Sequence, residues 1–141
     1  MEITQEKFRK ALPIQIRFSD IDSLGHINNN VYCSYYDLGK TDYFESLKAE
    51  NVSWTEGLIV LARMETDFFL PVFYRDNVVV DTKIIHLGNK SGTFLQQIRK
   101  VDTGEIMSRS KSVFVAFNAK TGQSMEIPPE WRKAISEFEE L

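Results

Sequence analysis

A chain of 141 residues with 43% hydrophobic side chains has enough apolar mass for one compact domain with a core, and no room for two of ordinary size. A formal charge of −3 offers no global attraction to nucleic acid or anionic lipid, so nucleic acid is not expected as a partner. The single cysteine, Cys33, excludes an intrachain disulfide framework and any multi-cysteine metal site, and no apolar run approaches the roughly 20 residues that span a bilayer, so a cytoplasmic protein without membrane insertion is expected.

The N-terminal MEITQEKFRKALP carries charges throughout and lacks the apolar segment of a secretory signal. Pro13 then marks the entry to Ile14-Gln15-Ile16-Arg17-Phe18, whose alternation predicts a first strand with one buried face. Ser19, Asp20, Asp22, Ser23 and Gly25 are turn formers, so the chain leaves that strand through a loop, with Asn28 or Asn29 placed to cap a following helix. That helix is predicted from Asn30 to about Leu47, where Val31, Tyr35 and Leu38 form an apolar row with Tyr32, Tyr36, Gly39 and Tyr43 beside it. A mid-helix glycine costs about 1 kcal/mol relative to alanine, so Gly39 implies close approach to another element.

After a linker over Ala49 to Gly57 the remainder reads as β. Strands are predicted over Leu58–Leu70, ended by Pro71, then Asn77–Leu87, Thr93–Val101 and Glu105–Phe117. Within the second of these, Val78, Val80, Thr82 and Ile84 occupy one face, with Asp81 and Lys83 on the other. Gly88-Asn89-Lys90-Ser91-Gly92 and Asp102-Thr103-Gly104 are hairpin connections by their turn residues, which makes the run an antiparallel meander. Asn118 to Gln123 holds a further turn, and Pro128-Pro129 precedes a short polar helix, Glu130–Glu140. The predicted class is α+β: an antiparallel sheet of about five strands wrapped around one long central helix, the hotdog shape. Pattern alone leaves this one of several arrangements.

The run Arg17-Phe18-Ser19-Asp20-Ile21-Asp22-Ser23-Leu24-Gly25-His26-Ile27-Asn28-Asn29-Asn30-Val31-Tyr32 resembles the signature of the 4-hydroxybenzoyl-CoA thioesterase-like family, D-x-x-G-H-[IV]-N-N-x-x-Y. The resemblance extends more weakly to the Tyr-rich helix, to Lys90-Ser91 and to TGQSMEIPPEW, and so covers the chain from about Pro13 to Trp131. It implies a hotdog acyl-CoA thioesterase acting as a single domain over residues 1–141. No cofactor or metal is implied, since CoA is part of the substrate.

The site residues follow from the motif together with the chemistry it must perform. A thioester carbonyl under attack develops charge on oxygen, and N–H groups at a helix N-terminus stabilise it there. The main-chain N–H near Asn29 is the candidate donor, and Gly25 permits the turn conformation. Asp22 stands where the family places its catalytic carboxylate, and either nucleophilic attack or general-base activation of water suits it. Asp20 shares the chemistry without the motif position and reads as a turn or salt-bridge residue. Related plant acyl-carrier-protein thioesterases show D-x-N-x-H-V-N-N; this chain keeps Asp22 and His26 but has Leu24 at the asparagine position, which leaves His26 open between catalysis and bonding the turn.

The remaining candidates are weaker. Glu65 lies on a predicted strand where some hotdog thioesterases recruit an acid, although a strand glutamate is more often a paired surface group. Cys33 reads as an ordinary buried helix cysteine and His86 as a strand-end residue. Lys90 and Ser91 match the family's basic-Ser hairpin position and are the candidate contacts to CoA phosphates, ahead of Arg99, Arg109 and Lys111, which read as a solvated sheet face. Tyr32, Tyr35, Tyr36, Tyr43 and Phe44 fit an aromatic acyl pocket, but a helix pressed on a sheet uses the same residues as core. The resemblance further implies pairing of edge strands into a homodimer or homotetramer. The rivals to an acyl-CoA thioesterase are a hotdog acting on acyl carrier protein and a non-catalytic acyl-CoA-binding hotdog; the D-x-N-P-x-H and H-F-P signatures of hotdog dehydratases are absent.

Overall fold

The computed structural model describes residues 3–47 and 58–141. Element order is β1 (Lys10–Ile14), a 3₁₀ turn (Phe18–Asp20), α1 (Val31–Ser46), β2 (Leu58–Phe68), β3 (Val78–Leu87), β4 (Ser91–Lys100), β5 (Ile106–Asn118), β6 (Gln123–Ser124) and α2 (Pro129–Glu139). The sheet is antiparallel in the order β1-β3-β4-β5-β2, with the two-residue β6 on β5. The predicted hotdog architecture is therefore what is observed, with one added short strand.

The first strand lies earlier than its alternation predicts. Lys10 to Ile14 pair with Thr82 to Val78, so Pro13 falls inside β1 and Gln15 to Phe18 fall outside it. Proline lacks the donor a central strand needs, but β1 is an edge strand with one unpaired side, where that loss is tolerated. The helix and the three meander strands match their expected spans to within about two residues, as does α2. The predicted linker over Ala49 to Gly57 lies outside the described residues.

Gly39 has the close contact its position implied. A Cβ there would meet Val80 Cγ1 at 2.7 Å, Thr82 Oγ1 at 2.8 Å and Gln96 Nε2 at 2.9 Å, so α1 rests directly on β3 and β4. Tyr32, Tyr35, Tyr36 and Tyr43 are buried, and they divide between two apolar clusters. One joins Tyr32, Tyr35 and Tyr36 to Ile27, Val72, Val80 and Ile98; the other joins Tyr43 to Phe94, Phe114, Trp131 and Ile135 and is closed by α2. Leu38, expected in the apolar row, is exposed, because the helix buries the face centred on Gly39.

Two further expectations are corrected on the sheet and helix surfaces. The outer sheet face, expected to be solvated at Arg99 and Arg109, is covered there and buries Asp81: residues Thr4 to Phe8 cross that face, tied by Lys83 to Glu6 and by Arg109 to the Thr4 carbonyl. Beneath them Arg99 donates twice to Asp81, at 2.9 and 3.1 Å, and satisfies its charge. Cys33, expected buried, is exposed, because α1 packs on β1, β3 and β4 and leaves the side toward β2 open. There only side chains cross, through Tyr32 to Phe68, Tyr36 to Ser108 and Phe44 to Phe114.

Candidate active site

The loop between β1 and α1 is a small hairpin stitched at four points. Asn28 N donates to Asp20 O at 3.0 Å, Ile21 and Ile27 form an antiparallel bridge, Asp22 N donates to His26 O at 3.0 Å, and Gly25 N donates to Asp22 O at 3.0 Å. The tip is Asp22-Ser23-Leu24-Gly25. Gly25 has φ +85°, a conformation an L side chain adopts only with strain, and nothing lies within 4 Å of where its Cβ would stand. Backbone conformation, not space, therefore requires glycine. The hairpin is tied to the chain after β2 by Ile27 N donating to Val72 O at 2.8 Å.

Asp20 anchors this hairpin to the helix. Its carboxylate is buried and accepts from Arg17 N at 2.9 Å and from the Tyr35 hydroxyl at 2.7 Å, with the Arg17 guanidinium at 3.5 Å. Burial works to raise its pKa, but the Arg17 N–H, the Tyr35 hydroxyl and the Arg17 charge together outweigh it and hold the carboxyl below its ordinary value. This matches the salt-bridge role expected for Asp20.

Asp22 is half-buried and differently placed. One oxygen, Oδ1, accepts the Leu24 N–H at 2.9 Å, while Oδ2 makes no hydrogen bond among the described residues. One carboxylate oxygen thus holds the turn and the other is free to act.

At the start of α1 the three asparagines have separate environments. Asn28 Oδ1 accepts the Asn30 N–H at 2.9 Å, and Asn28 O accepts the Val31 N–H at 2.9 Å. Asn30 already has helical backbone angles and its side chain makes no capping bond, so the capping contacts at the start of α1 are those of Asn28, one of the two asparagines expected there. Asn29 keeps an N–H with no acceptor among the described residues, just before the first turn, where the helix dipole favours negative charge.

Asn29 and His26 line one cavity of about 210 Å³, whose apolar wall is Tyr32, Phe68, Leu70 and Pro71. His26 Nδ1 lies 3.2 Å from Ile27 O; in the tautomer that donates there, Nε2 is left as an acceptor. Asp22 and Gly25 shape the same hairpin but do not line that cavity. The chain beyond β2, Phe69 to Pro71, completes the wall and went unnoticed in the sequence. Its only signal there was the proline that ends the strand.

The remaining candidates lie elsewhere. Lys90 is exposed and Ser91 opens β4, where Ser91 is level with Val115 and Val60, whereas Ile98, Ser108 and Phe68 mark the cavity end. Seven residues of strand separate the two levels, about 23 Å. One chain therefore does not bring Lys90 and Ser91 to the Asp22 hairpin. Glu65 pairs with Arg63 on the outer face of β2, away from α1. Arg109 donates to Gln97 at 2.6 Å, Lys111 is exposed on the same outer face, and His86 is exposed near the end of β3. Tyr32 takes part in the cavity wall; Tyr35, Tyr36 and Tyr43 are core, as the competing reading had it. Among the described residues no group of three His, Cys, Asp or Glu is placed to hold a metal.

Comparison with known proteins agrees with this fold. The family model described as Thioesterase-like superfamily matches residues 16–135. The long-chain acyl-CoA thioesterase FadM of Escherichia coli (strain K12) is 22% identical over 131 residues, covering 89% of this chain and 96% of that protein. A solved structure of a thioesterase from Thermus thermophilus, complexed with coenzyme A and Zn, superposes with a TM-score of 0.83 at 28% identity, covering 97% and 98% of the two chains. A predicted thioesterase from Bacillus stearothermophilus superposes with a TM-score of 0.80 at 31% identity, covering 90% and 93%.

Proposed function

The chain belongs to the thioesterase-like superfamily, and from that membership we propose that it is an enzyme that hydrolyses acyl-CoA thioesters to free acid and CoA. The observation that carries the reading is the unbonded N–H of Asn29, a residue at the start of α1 that lines a cavity together with His26. A thioester oxygen held there is polarised by a donor that needs no reorganisation as charge develops. The acyl-CoA thioesterase FadM and the coenzyme A-bound relative support CoA, rather than a carrier protein, as the thiol half.

Asp22 supplies the second part of the chemistry. In one route its free carboxylate oxygen attacks the carbonyl carbon, the C–S bond breaks, CoA leaves as thiolate, and water then cleaves the mixed anhydride to regenerate the carboxylate. In the other, Asp22 takes a proton from water as the water oxygen attacks the same carbon, and that proton passes to the departing sulfur. Both routes use the same oxygen, Oδ2, and the same oxyanion donor. His26 is proposed to hold the attacking water, accepting from it through Nε2.

The CoA half is proposed to meet Lys90 and Ser91 across a dimer. β2 is an edge strand of eleven residues that exposes Val60, Leu61 and Phe68, and pairing two copies edge to edge in antiparallel sense sets the Phe68 end of one beside the Leu58 end of the other. One chain's Lys90-Ser91 hairpin then shares an end of the joined sheet with the other chain's Asp22 hairpin. A cytoplasmic location belongs to the same proposal, supported by the free, exposed Cys33.

The test is release of free thiol from acyl-CoA and from acyl-carrier-protein thioesters of the same acyl group, in parallel. Faster turnover of the CoA thioester is expected. Turnover confined to the carrier-protein thioester, or tight acyl-CoA binding without thiol release, would contradict it.

A further inference from the structure

A second cavity, of about 230 Å³, lies at the other end of the gap between α1 and β2. Its walls are formed by the apolar Phe44, Phe94, Phe114, Ile59 and Leu61, with Asp37 and Thr41 of α1 at its edge, and into it projects one cation, Lys40. The Lys40 side chain is 13% exposed, its ammonium lies 5.8 Å from the centre of the Phe94 ring, and its carboxylate partner Asp37 is at 3.6 Å and itself 72% exposed. Burial works to lower the Lys40 pKa, and Asp37 only partly restores it.

A charge set in an aromatic cavity costs desolvation energy that one long, solvent-facing ion pair does not offset. A lysine serving only the fold would reach water by extending its stem, as surface lysines do. Here the helix rows place Asn29, Lys40 and Phe44 along the same open side of α1. The helix axis from Asn29 to Lys40 spans about 16 Å. The gap between them is open at the exposed Cys33, while Ser108, Ser110 and Ser112 of β5 are buried beneath α1 and Ser108 accepts the Tyr36 hydroxyl. An acyl group with its carbonyl at Asn29 and its chain laid along this gap would bring its far end to the Lys40 cavity.

We propose that Lys40 is a specificity residue that pairs with a carboxylate at the far end of the acyl group, so that ω-carboxyacyl thioesters are favoured over neutral thioesters of the same length. This rests on the thioesterase reading and extends it to the acyl half of the substrate. A desolvated ammonium gains a charge-assisted partner from such a substrate and is left facing methyl groups by a neutral one.

Two measurements test it independently. In the first, kcat/KM is compared for wild type and Lys40→Met on pairs of ω-carboxyacyl-CoA and neutral acyl-CoA matched in length. The wild-type preference for the carboxylate should fall about tenfold or more in the variant, with Lys40→Arg retaining part of it. In the second, calorimetry follows binding of the non-hydrolysable thioether analogues of the same pairs, with thermal melts confirming that each variant is folded. Weaker binding of the carboxylate analogue alone to Lys40→Met supports the assignment even if no thioester turns over, in which case the hydrolytic reading fails and this one stands. Equal preference in wild type, or an equal loss on both members of each pair, overturns it.

Discussion

Asp20 and Asp22 stand two positions apart on one hairpin and have opposite environments. Asp20 spends both oxygens on Arg17 and Tyr35 inside the protein, whereas Asp22 spends one on the turn and keeps the other free. Asp20→Asn removes a buried charge from its donors and is expected to destabilise the fold by about 2 kcal/mol or more, measured by denaturant unfolding. The pH sign follows from the lowered native pKa. The carboxylate's contribution is present in full above the unfolded value near 3.9 and is lost as pH falls through the native one, so the gap between wild type and Asp20→Asn should close on acidification below about pH 4. A gap independent of pH would show that Asp20 is not charged in the folded protein. At this scale the motif put Asp22 and Asn29 on a loop entering a helix, and that is where the chain has them. It carried no sign of Lys40, since a lone lysine between Gly39 and Thr41 reads as surface until the fold shows which side of the helix lies open.

Among the elements, α1 is set by one glycine. Gly39→Ala improves helix propensity by about 1 kcal/mol, but the new methyl meets Val80, Thr82 and Gln96 inside 3 Å, and Gln96 is held in place by bonds to Tyr36 O and Thr82 Oγ1. Overpacking should outweigh propensity, giving a net loss of about 1–2 kcal/mol and a lower melting temperature. A stabilised variant would mean that α1 can lift from the sheet at little cost. The meander was legible because its alternation and its glycine turns agree on the same boundaries, and Gly39 was legible because a glycine inside a helix needs a packing reason. The position of β1 was not. Ile14 to Phe18 alternates like a strand, yet the chain pairs over Lys10 to Ile14 and turns inward at Phe18, since the pull of Asp20 on Arg17 N closes a 3₁₀ turn there. Burial of Asp81 was hidden for a related reason: the segment that covers it is distant in sequence and polar in composition.

For the molecule as a whole, the proposed CoA contacts and the proposed reacting carboxylate lie apart in one chain. The Asp22 hairpin and the Lys90-Ser91 hairpin occupy opposite ends of one sheet, and the β2 edge exposes apolar side chains beside an unpaired ladder. Sedimentation analysis is expected to return a species of at least twice the chain mass at micromolar concentration; an active monomer would require CoA to be held without the second chain's hairpin. The proposed edge-to-edge pairing would leave the gap between α1 and β2 within each protomer, and the proposed acyl and CoA contacts would then belong to different parts of the assembly. Asp22 is the group proposed to cleave the thioester. Asp22→Asn keeps an acceptor for the Leu24 N–H and therefore the turn, while removing the charge on which both routes depend. Free-thiol release from an acyl-CoA by wild type and by Asp22→Asn, with matched thermal melts, is the most direct measurement. A fall of about 10²–10⁴ in kcat with the fold preserved is predicted, and hydrolysis at the wild-type rate by a folded Asp22→Asn would contradict the mechanism.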